Sequence, residues 1–352
     1  MGGIFLKYHL SPQPFETISV IVEASLVWEV ILGIAGYTYS QLRHTFDLDE
    51  MWSKEQGTMP DSLVQNLKMI EKTNFWYGLI MLQNRLSSTS VQDFSKRLSE
   101  IQLESFYDTL LPYKNRNAEA MRKATATEHH RPELFDEYAA HFEDHDYLSG
   151  YIRNLAQYTH QEICDLFNNT LDSWFNWISK QREWEKWIQA LGFEQKQSNL
   201  LDIMNPLEKI ELITDGVKYL PEPSVWTVKL IPHVSYRPWI LEARSPDTKL
   251  FFYPIKEEYL QEPSVPPSEL IRGYKALGDE LRLKLLYQLL RGPLSLQEMS
   301  VQFNTSKTTL HHQLSILKAA RFVHVDKGVY SANLTQIKSF SGKLNPYLGL
   351  GI

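Results

Sequence analysis

The chain has 352 residues, of which 43% are hydrophobic and 12% aromatic, and its formal net charge is -6. This length predicts at least two domains, and the hydrophobic content excludes an intrinsically disordered chain. The single cysteine, Cys164, excludes an intrachain disulfide and every multi-cysteine zinc site. Because no cleavable leader is recognisable at the N-terminus, we expect a cytoplasmic protein.

The charge is distributed unevenly along the chain. Residues 264–352 contain eleven Lys and Arg against five Asp and Glu, whereas the preceding 263 residues contain 25 basic and 37 acidic side chains. A basic C-terminal quarter joined to an acidic remainder is typical of a nucleic-acid-binding domain attached to a domain that does not bind nucleic acid.

The first half of the chain is predicted to be almost wholly helical after a short strand at residues 4–9. The most apolar run, residues 18–39, contains Glu23 and Glu29 in its middle, which favours a buried helix over a membrane span. Asp61 after Pro60 predicts a helix start. The predicted helices cover residues 15–34, 41–52, 61–86, 91–110, 118–125, 132–142 and 147–190, the last with one or two breaks.

Four tryptophans recur in the longest of these segments. Their positions differ by three, seven and three, which predicts one helical stripe formed by Trp174, Trp177, Trp184 and Trp187. The stripe has two interpretations, a packed core or interdomain seam and the lining of a ligand cavity. Because an exposed row of indoles would form a large apolar patch, we expect another part of the protein to cover it.

Two histidines, His141 and His145, are four residues apart near acidic side chains, a spacing that places both imidazoles on one helical face. The order HFEDH differs from the metalloprotease arrangement, in which Glu directly follows the first His, so solvated surface is favoured and we assign no metal ligand. The chain contains no Gly-rich phosphate loop, nucleophile elbow or dinucleotide fingerprint. We therefore expect neither catalytic residues nor a cofactor, and no enzyme activity.

The pattern changes after residue 200. Short runs rich in β-branched and aromatic residues predict three strands of a small antiparallel sheet within residues 217–255, at residues 225–231, 239–243 and 249–253. The proline-rich residues 254–267 predict an extended linker. The expected fold is mainly α (α+β), with a large helical domain at residues 1–260 that ends in this sheet and a C-terminal domain at residues 268–340.

Residues 306–319, SKTTLHHQLSILKA, predict the recognition helix of a winged helix-turn-helix domain. Leu310, Leu314 and Leu317 form an apolar stripe, and the other face contains no carboxylate that DNA phosphates would repel. His312 and Gln313 flank the stripe, so either of them can face another protein segment instead of DNA. The predicted DNA-contacting residues of this helix and the wing are Ser306, Lys307, Thr308, Thr309, His311, His312, Ser315 and Lys327.

The neighbouring segments fit the same motif. Asn304 tolerates the left-handed backbone of a tight turn, and Ser306 is a favourable N-cap whose helix N-terminus can meet a phosphate. Residues 322–325 and 329–332 predict a hairpin wing. Lys327 is the only basic residue at its tip, so we expect only a weak minor-groove contact.

Residues 276–334 closely resemble the ArsR/SmtB family of winged-helix repressors. The resemblance rests on the leucine-rich helix opened by Asp279 and Arg282, the break at Gly292 and Pro293, and the two helices that follow it. It implies a repressor that binds a near-palindromic operator in double-stranded DNA. It also implies a homodimer formed by the segments at residues 267–277 and 334–340.

Many relatives sense metals through a Cys pair on the helix that corresponds to residues 295–303, or through His and Asp on the last helix. Neither pattern is present here, so we expect no metal response through those sites. Residues 232–254 resemble part of an N-terminal extension of unknown function that some members carry.

We therefore predict a two-domain, sequence-specific transcriptional regulator. Residues 1–260 would dimerise, hold a small-molecule or partner effector, or do both. The alternative is a helical interaction scaffold whose winged helix binds protein rather than DNA.

Overall fold

The computed structural model describes residues 18–203, 205–260 and 265–350, so the strand predicted at residues 4–9 lies outside it. The described part is mainly α-helical with two small sheets, which confirms the predicted fold class. We refer to described residues up to 260 as the body. Its α-helices are α1 Leu26–Thr38, α2 Asp49–Glu55, α3 Asp61–Thr73, α4 Trp76–Leu86, α5 Val91–Glu100, α6 Leu103–Leu110, α7 Glu119–Thr127, α8 Pro132–Ala139, α9 Leu148–Leu155, α10 His160–Ile178, α11 Trp184–Asn199 and α12 Pro206–Ile213.

Several predicted helix boundaries were wrong. The helix expected from residue 15 begins only at α1, after the strand β1 Ser19–Val22, because Ser25 caps it by accepting a hydrogen bond from Trp28 N at 3.2 Å. The segment predicted at residues 61–86 is two helices, since Asn74 adopts a left-handed conformation between α3 and α4. Pro60 rather than Asp61 occupies the N-cap of α3.

The four tryptophans belong to two helices instead of one stripe. Trp174 and Trp177 lie on α10, whereas Trp184 and Trp187 lie on α11. All four are at most 6% exposed and belong to the largest hydrophobic core of the body. The expectation that they are covered is confirmed, and they serve as core residues.

The sheet of the body is mixed, so the prediction of an antiparallel sheet was wrong. Its strands are ordered β1-β2-β4-β3, with β2 Thr227–His233, β3 Leu241–Arg244 and β4 Thr248–Pro254. β1 pairs in parallel with β2 and β2 pairs in parallel with β4, and only β3 and β4 form an antiparallel hairpin. The sequence pattern did not predict β1. Strand β3 precedes β4 in the chain, although β4 lies between β2 and β3 in the sheet.

Both faces of this sheet are covered. Ile231, Leu250 and Phe252 pack into the helical core, whereas Val228 and Leu230 join a smaller cluster with α12. Alternating burial of this kind is expected because successive side chains of a strand point to opposite faces.

The carboxylate of Glu29 ties α1 to the end of β2. It accepts hydrogen bonds from the backbone N–H groups of Val234 at 3.0 Å and Ser235 at 2.6 Å, and the side chain of Glu29 is buried. Burial raises the pKa of Glu29, and the hydrogen bonds from Ser235 and Val234 oppose that effect.

The C-terminal part has the order of elements expected of a winged helix. Its elements are α13 Ser268–Leu277, α14 Glu280–Arg291, β5 Leu294–Ser295, α15 Leu296–Phe303, α16 Lys307–Ala319, β6 Val323–Asp326, β7 Val329–Ala332, α17 Leu334–Ser341 and α18 Leu344–Tyr347. β5, β7 and β6 form an antiparallel sheet. These elements share a hydrophobic core of their own, which includes Leu285, Leu310, Leu314 and Phe322. Among the described residues, no helix combines the length and apolarity that a membrane span requires.

Candidate nucleic-acid interface

Local hydrogen bonding fixes the turn between α15 and α16. Asn304 adopts a left-handed conformation with φ 48° and ψ 46° and so ends α15. The Ser306 side chain then caps α16 by accepting a hydrogen bond from Thr309 N at 3.1 Å. The predicted roles of Asn304 and Ser306 in the backbone are confirmed. The first N–H groups of α16 therefore lie at an exposed, capped helix end where an anion is favoured.

The apolar stripe of α16 faces the core, because Leu310, Leu314 and Leu317 are at most 1% exposed. The helix contains no Asp or Glu. Six of the predicted contact residues lie exposed on its N-terminal half or cap, at Ser306, Lys307, Thr308, Thr309, His311 and His312. Part of Thr309 is already engaged, since its Oγ1 lies 2.8 Å from Ser306 Oγ.

Ser315 does not belong to this exposed surface, contrary to the sequence prediction. It is 4% exposed, and its hydroxyl donates a hydrogen bond to His312 O at 2.7 Å. Its Oγ also lies 3.5 Å from His44 Nε2 of the body. The body therefore covers Ser315, which sequence periodicity within one helix could not reveal.

His312 is exposed at one side and contacts the body at the other. Its ring centroid lies 4.2 Å from that of His44, with an interplanar angle of 32°. Gln313 turns inward, and its Oε1 accepts a hydrogen bond from Arg282 Nη1 at 2.7 Å. Arg282 also donates from Nε to Ala276 O at 2.8 Å, so one guanidinium fixes α13 and α14 against the recognition helix.

The wing ends in a tight turn. Lys327 has φ 47° and Gly328 has φ 78°, and the flanking Asp326 and Val329 are paired. Two successive positive φ values are typical of a type I′ hairpin. Lys327 is exposed at the tip, as predicted, and is the only Lys or Arg in the hairpin.

The interface between the body and the winged helix contains functional candidates that the sequence analysis missed. Asp47 of the body accepts hydrogen bonds from Arg272 of α13 at 2.5 Å and lies 3.5 Å from the guanidinium of Arg237. Lys318 of α16 lies 5.6 Å from the ring centre of Trp239. The only sequence signal for these contacts was the opposite net charge of the two parts.

His141 and His145 pack against different aromatic rings, and the ring centroid of His141 lies 5.9 Å from that of Tyr138. His145 lies against Tyr147, with ring centroids 4.6 Å apart, and burial lowers the pKa of His145. Within residues 18–203, 205–260 and 265–350, no three His, Cys, Asp or Glu side chains are grouped as a metal site would require.

A capped recognition helix behind a tight turn, followed by a hairpin wing, defines a winged helix-turn-helix domain of the DNA-binding class. Residues 279–325 match the family model "Bacterial regulatory protein, arsR family". The C-terminal part therefore contains an ArsR-type helix-turn-helix domain, which at the level of this family supports a DNA-binding transcriptional regulator. No curated protein and no solved structure matches the chain.

Proposed function

We propose that the protein is a non-enzymatic, sequence-specific transcriptional repressor that binds a near-palindromic operator as a homodimer. The observation that supports this most directly is the exposed N-terminal half of α16, which is capped by Ser306 and carries no carboxylate. DNA phosphates are attracted to such a helix end, and its side chains can contact base edges in the major groove. The resemblance to winged-helix repressors supports the direction of regulation.

The exposed residues suit different parts of the DNA. Lys307 is a flexible cation at the start of the helix and suits a phosphate. Thr308 and His311 lie further along the exposed side and suit base edges, which carry the sequence information. Lys327 at the wing tip suits the minor groove or a neighbouring phosphate.

The test begins with selection of genomic fragments by the purified protein, followed by titration of the selected duplex. We expect Lys307→Ala to weaken binding to all sequences and to reduce the slope of log K against log salt by about one, because one phosphate contact is lost. Thr308→Ala should instead change the base preference at one position. An equal loss across all sequences for both variants would contradict direct base contact.

The homodimer is supported by exposed apolar side chains on the first helix of the winged-helix part and at its C-terminal helices. Tyr274, Leu334 and Leu348 are 44%, 52% and 54% exposed. Exposed apolar side chains of this kind are suited to a self-complementary twofold contact. Sedimentation of the purified protein at several concentrations measures its mass, and a monomer at all of them would exclude the dimer.

The scaffold alternative is favoured by another apolar stripe. Leu283, Tyr287 and Leu290 of α14 follow helical spacing and are 48%, 59% and 47% exposed. Such a surface could bind a protein partner. A complete failure to select any genomic fragment, at both low and high salt, would favour this function.

An effector could bind in a cleft of the body. The cleft has a volume of about 410 Å³ and lies between α4, α6, α7 and the turn before β4. Arg85, Arg122 and Lys229 line it, together with Asn84, whose Oδ1 is buried without a hydrogen-bond partner. Its volume suits a small molecule. Repeating the fragment selection with candidate ligands tests this role.

A further inference from the structure

The side of α16 that would enter a major groove can be identified from its contacts. Helical residues follow one another at about 100°, so the side opposite Leu310 and Leu314 carries Thr308, His312 and Ser315. When the apolar stripe of a recognition helix packs on its own domain, this opposite side is the one that faces the bases. A protein segment placed here therefore occupies space that DNA needs.

The body covers this side from the second turn of α16 onward. The ring of His44 lies against His312, with 4.2 Å between centroids, and contacts the buried Ser315. One turn later, Ala319 is 6% exposed and lines the cleft between the body and α13 together with His44. The stretch from His312 to Ala319 amounts to about two helical turns. The exposed residues of α16 are confined to its N-terminal half, at Lys307 to Thr309, His311 and His312.

The ion pairs that cross the contact share one polarity. Among the described residues two are found, Asp47 with Arg272 at 2.5 Å and Asp215 with Arg321 at 2.6 Å. In both of them the carboxylate belongs to the body and the guanidinium to the winged helix.

Two weaker interactions have the same polarity. Lys54 lowers the pKa of Glu50 and, to a smaller degree, so does Lys275 of α13. Burial lowers the pKa of Lys318, and the charge of Asp146 in the body opposes this effect. Carboxylates of the body therefore face the basic groups that phosphates would otherwise attract.

We propose that the body carries a docking surface for the recognition helix, formed by His44, Asp47, Asp146 and Trp239, and that this surface competes with DNA for the same side of α16. The proposal rests on the proposed DNA-binding function. A major groove about 12 Å wide admits a helix but not a helix with a second protein segment on its outer side. DNA therefore binds after the body has moved away, and the observed affinity is reduced by the fraction of molecules that are open.

The first test compares two histidine substitutions in the full chain. His44→Ala removes the ring that contacts His312 and Ser315, whereas His130→Ala removes an exposed histidine elsewhere on the body. We expect His44→Ala to raise the affinity for a mixed-sequence DNA duplex by roughly threefold to tenfold, because more molecules are open. His130→Ala should leave the affinity unchanged. An unchanged or lower affinity for His44→Ala overturns the proposal.

The second test locks the contact. In a variant with both His44→Cys and His312→Cys, a short bis-maleimide should join the two new thiols, and the native Cys164 is buried. The cross-linked protein should lose DNA binding relative to the same variant before cross-linking. Because both samples lack His312, the difference between them reports the cross-link alone. DNA binding that survives cross-linking overturns the proposal.

The cross-linking yield reports docking without reference to DNA. A yield no higher than that of a control pair, with His130→Cys in place of His44→Cys, overturns the docking surface whether or not the protein binds DNA. A high yield together with no DNA binding by the wild type, by His44→Ala or by the uncross-linked variant supports docking and overturns the proposed function instead.

Discussion

The body and the winged helix differ in where they keep their ionisable groups. In the body, Glu29 and His233 are at most 1% exposed, and Arg122 is buried between Asp108 and Glu119. In the winged helix, His311, His312 and His324 are all exposed. The body therefore buries some of its charged and titratable groups, whereas these three histidines of the winged helix lie at its surface, where a polyanion can reach them. Stability and DNA binding should respond to different residues in the two parts.

The largest expected effect comes from breaking one core while leaving the other intact. Leu314→Ala removes a side chain that is 1% exposed in the winged-helix core, and such truncations cost about 2–5 kcal/mol. We expect hydrogen exchange to show a loss of amide protection in α14 to α16 and β7, with little change in α4 or α10. The matched variant Leu79→Ala should do the reverse. If Leu314→Ala weakened protection equally in both parts, the two cores would form one cooperative unit.

A smaller effect on stability is expected from the protonation of His233 in the body. Burial, together with the charge of Arg237, lowers the pKa of His233 to about 3. Its ordinary value is 6.5, so the unfolded chain takes up a proton first as the pH falls. The contribution of neutral His233 to stability is then complete above pH 6.5 and declines between pH 6.5 and about 3.

His233→Leu should therefore make the body less sensitive to acid. Urea unfolding followed by tryptophan fluorescence at pH 7 and pH 5 measures the difference, which should be on the order of 1–2 kcal/mol smaller in the variant than in the wild type. His324→Leu in the winged helix provides the comparison, because His324 is exposed and should change little. Identical pH dependence of the wild type and His233→Leu would contradict the prediction.

The smallest effect is expected at the edge of the contact between the two parts. The carboxylate of Asp215 pairs with Arg321, but the Asp215 side chain is 79% exposed, and exposed ion pairs contribute little. Asp215→Asn should change the affinity for mixed-sequence DNA by less than about twofold at 0.15 M salt. A change in DNA affinity as large as that expected for His44→Ala would mean that the Asp215–Arg321 pair, rather than the contact on α16, mainly holds the body against the winged helix.

The sequence predicted the winged helix well because its signals are local. The cap at Ser306, the left-handed Asn304 and the hairpin turn beside Lys327 each act within a few residues. Most exposed contact candidates followed from the same periodicity. Arg282, in contrast, bonds to Gln313, and no local pattern indicates which of several polar neighbours an arginine will choose.

The body was predicted less completely because its arrangement depends on distant pairings. Its helical character follows from composition and periodicity, but the helix predicted at residues 15–34 includes β1, whose partner β2 lies near the other end of the body. The burial of Ser315 has the same origin, since it depends on His44. Single-helix periodicity places Ser315 on the polar side correctly but does not show what covers that side.

The parallel pairing of β1 with β2 also affects how the protein is made. Ser19 pairs with Thr227, so the sheet of the body cannot be completed until nearly all of the body has left the ribosome. Contacts between positions so far apart along the chain slow folding, whereas the winged helix is held by contacts between near neighbours in sequence. During synthesis, the docking surface for α16 can therefore finish folding at about the same time as the recognition helix is synthesised.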